Sequence, residues 1–127
     1  MFIINKENWE VVKKTNIIGS NRKNKVGLIN KDDLVIVYSI RPLSSIMGSF
    51  KVKSRNNEKK SIFSGGLYPY RLNLEPINIL KEPIKMKSLV DKLNFIKRKE
   101  KWHTYLFGVK GIRELSKLDY ETITNAF

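Results

Sequence analysis

Apolar and polar positions change places along this chain in short blocks, and each block predicts an element. Phe2-Ile3-Ile4 is an apolar triplet that predicts a first strand. Trp9, Val11 and Val12 then recur at helical spacing among Glu7, Glu10, Lys13 and Lys14. That pattern predicts an amphipathic helix capped by Asn5 or Asn8 and ended by Thr15-Asn16, with early Glu and late Lys complementing its dipole. Residues 16–30 read as a basic loop containing Asn and Gly. Lys31-Asp32-Asp33 predicts a turn, and Leu34-Val35-Ile36-Val37-Tyr38 is an unbroken apolar run of strand length.

A second strand is expected over residues 46–52, where Gly48 marks a close backbone approach or a bulge. Residues 53–60 read as a charged loop and Ser64-Gly65-Gly66 as a turn. From 68 to 75 the alternation sends Tyr70, Leu72 and Leu74 to one face and Arg71, Asn73 and Glu75 to the other, the period of a half-buried strand. Pro76 is expected to stop that pairing, with Ile77-Asn78-Ile79-Leu80 as a further strand and residues 86–93 as a short helix. Ser116-Lys117-Leu118-Asp119 has the form of a capping box and predicts a last helix through Tyr120 and Ile123. The order of elements predicts an α+β fold, a strongly curved β-sheet or small barrel flanked by short helices. The 127 residues suit one domain over 1–127.

Composition narrows the chemistry. No cysteine is present, which excludes disulfides, thiolate metal sites and cysteine nucleophiles, and a single histidine excludes a histidine metal cluster. No cofactor is therefore expected. Lys and Arg number 25 against 12 Asp and Glu, a net charge of +13, which points to an anionic partner and above all to nucleic acid. The leading apolar triplet is far shorter than the roughly 7 to 15 residues of a secretion signal, so no membrane association and a cytoplasmic location are expected.

Enzyme signatures are thin. There is no glycine-rich phosphate loop and no nucleophile elbow, Asp32 and Asp33 read as a turn, and His103 has no sequence partner that would make it an acid or base. The expectation is a non-catalytic binder. Basic residues cluster at Arg22-Lys23-Asn24-Lys25, at Lys51, Lys53 and Arg55, and at Lys97-Arg98-Lys99 with Lys101. The last cluster runs into Trp102-His103-Thr104-Tyr105-Leu106-Phe107, and cations beside flat rings suit a grip on a phosphate backbone with a stacked base. Residues 1–64 hold 13 of the cations and residues 65–127 hold 12, the even spread that a lysine-rich composition alone would also give.

Several motifs taken together resemble the EVE domain. They are Asn5-Lys6-Glu7-Asn8-Trp9-Glu10, Asn16-Ile17-Ile18-Gly19, Gly66-Leu67-Tyr68-Pro69-Tyr70-Arg71, Leu93-Asn94-Phe95-Ile96-Lys97, Lys101-Trp102, Leu106-Phe107-Gly108 and Arg113-Glu114-Leu115. The resemblance covers nearly the whole chain and implies a PUA-like fold, in the company of the PUA, ASCH and YTH domains. It implies a reader of DNA or RNA that takes a modified base into an aromatic-lined pocket. Carried onto this sequence, that pocket would be lined by Asn5, Asn16, Ile18, Gly19, Ser20, Tyr38, Ser39, Trp102 and Phe107. Trp102 would offer a π-face, and Asn5 a donor and an acceptor. Arg22, Lys23, Lys25, Lys97, Arg98 and Lys101 would hold the phosphate backbone.

The chain departs from the family pattern at Ile18, where an aromatic residue, usually Trp, commonly precedes the glycine. Loss of one stacking wall is worth about 1 to 3 kcal/mol per base. Two other readings use the same cleft: a general PUA-like RNA-binding protein indifferent to base modification, and a small-molecule-binding protein or enzyme.

Overall fold

The computed structural model describes residues 1–107 and 111–127, Phe107 by its backbone alone. At the start of the chain, Asn5 turns β1 (Phe2–Ile4) into α1 (Lys6–Thr15): its side-chain oxygen accepts the Asn8 N–H at 2.8 Å, satisfying a donor the first turn would otherwise leave unpaired. Asn16 ends α1 in the left-handed region, φ 57°, a conformation that asparagine tolerates.

Beyond α1 the chain is more ordered than its sequence predicts. Residues 16–30 contain β2 (Ile17–Ser20) and α2 (Lys23–Gly27) in place of a loop. Then come β3 (Leu34–Ser39), β4 (Ser45–Asn56) and β5 (Tyr70–Lys85). Together they make one curled mixed sheet in the order β1-β3-β4-β5-β2, with β1 parallel to β3 and the other pairs antiparallel. The fold is α+β, and the two edge strands, β1 and β2, are joined through α1.

Residues 35–38 of β3 are apolar throughout because the sheet is covered on both sides there. Val35 and Val37 enter a core with Trp9, Val12, Ile18, Phe50 and Leu72, where Trp9 meets Phe50 edge-on at 6.1 Å. Ile36 and Tyr38 enter a second core with Ile46, Met86, Leu93, Ile96 and Ile123. Gly48 does mark a close approach, since a Cβ there would stand 2.6 Å from the Asn78 carbonyl oxygen.

Three expectations are corrected. Pro76 does not end its strand: β5 continues to Lys85, with Pro76 opposite Phe50 next to a shift in register. Beyond Asn73 no strand of the described residues pairs with its outer side, and a bulge or an open edge is where a residue without N–H is tolerated. Residues 86–93 form two 3-10 turns, Met86–Ser88 and Val90–Lys92, not an α-helix. Arg71 alternates with Leu72 as expected, yet it is only 3% exposed, because the connection 57–69 folds across it. The chain finishes through α3 (Thr104–Phe107) and α4 (Lys117–Thr124), the latter capped by the Ser116 hydroxyl, which accepts the Asp119 N–H at 3.1 Å.

Candidate functional site

The curled sheet does not close between its edges, and a cavity of about 390 Å³ occupies the gap. Ile3, Ile4 and Asn5 line it from β1 and its end, and Ile18, Gly19 and Ser20 from β2. Asn8 and Val12 of α1 face it, Phe63 and Tyr68 enter from the connection 57–69, and Leu106 of α3 reaches it from the opposite direction in sequence. The size falls in the roughly 300–1,000 Å³ range of small-ligand sites.

The aromatic part is built by local hydrogen bonding. Phe63 and Tyr68 bracket the Gly65-Gly66 turn and meet edge-on, their ring centroids 5.9 Å apart at 87°. Asn8 pins the connection from one side: its amide nitrogen donates to the Ser64 carbonyl at 3.0 Å and its oxygen accepts the Ser64 N–H at 2.7 Å. Arg71 pins it from beneath. Its guanidinium donates to the carbonyls of Lys60, Leu67 and Tyr68, and its central carbon lies 5.1 Å from the Phe63 ring centroid. Gly19 lets the rings come close, because a Cβ there would stand 2.6 Å from the Tyr68 carbonyl oxygen and 2.9 Å from the Phe63 ring.

The polar groups at the cavity are mostly uncharged. Asn5 uses its oxygen to cap α1, so its amide nitrogen is the part left for a ligand. The Ser20 hydroxyl oxygen accepts the Arg22 N–H at 2.9 Å, which holds the start of α2 against the rim. Asn21 and the Arg22 side chain complete that rim.

Of the residues singled out in sequence, Asn5, Ile18, Gly19, Ser20 and Arg22 come together here. Ile18 is buried and forms floor, not a stacking wall. Asn16 stays at the far end of α1, where its carbonyl accepts the Leu74 N–H at 2.8 Å. Tyr38 is packed in the second core, where burial raises its phenol above the ordinary pKa and a Ser44 hydrogen bond opposes that shift. Ser39 is fully buried beside it, its hydroxyl without a hydrogen-bond partner among the described residues. Trp102 does not line the cavity: it packs on the second core and stacks on His103 at 3.5 Å and 28°. The Phe107 side chain lies outside the described residues.

The cations divide in the same way. Lys23 and Lys25 are exposed on α2, directly after the rim residue Arg22. Lys97, Arg98 and Lys101 are exposed on the approach to α3, and Arg98 lies 3.2 Å from Glu100. Phe63, Tyr68, Asn8 and Arg71 were not anticipated as site residues. The available signal was the pair of aromatics bracketing the double-glycine turn, in the segment that leads into Arg71.

A second groove of about 770 Å³ is lined by Lys25, Leu34 and Arg113 but also by Asp32, Asp33 and Glu114. Those carboxylates oppose a phosphate, so the smaller cavity is the better candidate. Among the described residues no group of three or more His, Cys, Asp or Glu could hold a metal ion.

Comparisons agree with the architecture. The chain matches no protein-family model. It is 35% identical over 137 aligned positions to the UPF0310 protein PH1033 of Pyrococcus horikoshii, covering 95% of this chain and 92% of that one. The UPF0310 protein PYRAB08750 of Pyrococcus abyssi is 34% identical, with coverages of 95% and 93%. Among solved structures, protein Atu2648 of Agrobacterium tumefaciens superposes with a TM-score of 0.62 at 10% identity, over 98% of this chain and 90% of that one. The YTH domain-containing protein mmi1, solved in complex with RNA, superposes with a TM-score of 0.54 at 14% identity, over 98% and 76%. These likenesses establish a PUA-like, YTH-like fold.

Proposed function

The chain belongs to the UPF0310 family, and from that premise we propose that it is a non-catalytic nucleic-acid-binding domain of EVE type. In this reading it receives one unpaired, modified base of DNA or RNA in the cavity between β1 and β2. The observation that carries the reading is the cavity itself, a gap in a curled sheet with two aromatic rings on one wall and amide groups at its mouth.

Each part has a physical task. Phe63 and Tyr68 supply apolar ring surface, and every base offers a π-face to such a wall. The Asn5 amide nitrogen is a donor for an acceptor on the base edge. Apolar Ile3, Ile4, Val12 and Ile18 exclude water around it, strengthening that hydrogen bond. Arg22 stands at the mouth and Lys23 and Lys25 follow it, exposed on α2, where cations attract phosphates without reading sequence. The RNA-bound mmi1 structure, on a similar fold, supports the ligand class.

The test is a fluorescence-anisotropy titration at two salt concentrations. Matched single- and double-stranded DNA and RNA are compared, with and without methylated or oxidised cytosine and methylated adenine. The expected result is a preference of about tenfold, 1.4 kcal/mol, for one modified single strand. Salt-sensitive binding that ignores modification leaves a general RNA binder, and no binding at low salt overturns the proposal.

A further inference from the structure

Resting on that reading, we infer that the cavity takes electrically neutral or anionic rings and rejects cationic ones, with Phe63 as the ring on which the ligand stacks. Phe63 is not a free aromatic face. The Arg71 guanidinium lies 5.1 Å from its centroid, so the ring's negative quadrupole already has a cation to serve.

That cation is uncompensated. Arg71 is 3% exposed and donates to three backbone carbonyls, and no carboxylate pairs with it among the described residues. Arg22 adds a second guanidinium at the rim. The cavity lining among the described residues contains amides, a hydroxyl, apolar groups and backbone, and no Asp or Glu. A site built for a methylated, positively charged base gains from a carboxylate and from rings that carry no cation of their own; this one has no carboxylate in its described lining, and its Phe63 ring already holds a guanidinium. A buried charge is poorly screened by water or salt, so Arg71 acts on a ring stacked against Phe63, while half-buried Arg22 acts at the rim.

Isomeric modifications isolate charge from size. Single-stranded oligonucleotides of one sequence are made with a single 5-methylcytosine or 3-methylcytosine, and a second pair with N6-methyladenine or 1-methyladenine. The first member of each pair is neutral at pH 7 and the second is cationic. A guanine and 7-methylguanine pair, compared at mildly acidic pH so that N1 keeps its proton, adds charge away from the Watson–Crick edge. Competition anisotropy on the full chain is expected to show each cationic member binding at least tenfold more weakly than its neutral partner.

Arg22→Gln, a rim substitution outside the core, is expected to narrow that gap at least threefold while weakening all ligands together. Equal affinity within the pairs overturns the inference and leaves the base-reading proposal standing. A gap unmoved by Arg22→Gln overturns the rim's part in the discrimination and leaves it to Arg71 at Phe63. Failure of every oligonucleotide to bind overturns the base-reading proposal, and this inference with it.

Discussion

Residues 97–103 and residues 57–71 both combine cations with aromatic rings, but they arrange them in opposite ways. In the first, Lys97, Arg98 and Lys101 are exposed while Trp102 stacks on His103 and leans on the second core. In the second, the cation is buried and the rings line a cavity, with Arg71 beneath Phe63 and Tyr68 edge-on beside it. Closeness in sequence brings charges and rings together; only the surrounding hydrogen bonds decide whether a ring is presented or consumed. Asn8 and Arg71 supply those bonds to the connection 57–69.

That contrast is broken most severely at Arg71. Arg71→Met leaves the carbonyls of Lys60, Leu67 and Tyr68 without their donor. The expected loss is about 3 kcal/mol in urea unfolding, together with loss of oligonucleotide binding. A stability within about 0.5 kcal/mol of the parent would show that the connection holds itself in place. Gly19→Ala comes next, because its methyl would overlap the Tyr68 carbonyl and the Phe63 ring. A loss of about 2 kcal/mol is expected, with weaker binding in the same anisotropy assay.

The direct comparison is between rings. Phe63→Ala is expected to weaken binding of the preferred modified strand about tenfold or more, as stacking is worth about 1 to 3 kcal/mol per base. Trp102→Ala is expected to lower the melting temperature through lost packing while preserving the preference between modified and unmodified strands. The reverse outcome would return the π-face to Trp102. The smallest effect belongs to the surface cations: Lys23→Gln with Lys25→Gln is expected to flatten the plot of log affinity against log salt by about one to two units, leaving base preference untouched.

What the sequence disclosed follows the range of the interactions concerned. β1, α1, β3, β4, the start of β5 and α4 were legible because caps and apolar runs are local signals. β2 was not: Ile17-Ile18-Gly19-Ser20 is too short to show a period, and it is a strand because it pairs with the segment 70–73 of β5. The full length of β5 was hidden by Pro76, whose tolerance depends on a register shift and an open edge. At the cavity, the β1 and β2 positions were legible through the family motifs and Phe63 and Tyr68 were not recognised. They meet Gly19 across more than forty residues of chain, a closure that no local pattern encodes.

The outer side of β5 beyond Asn73, with which no strand of the described residues pairs, bears on how copies of this protein treat one another. A bare strand edge is a template on which a second chain can grow a ladder. Here Pro76 and Pro83 each remove a donor from the strand, and Lys81, Glu82 and Lys85 set exposed charges along it. An incoming strand would meet an interrupted row of donors and would have to desolvate charge to reach it. The features that make this strand hard to read are the same ones that discourage edge-to-edge polymerisation.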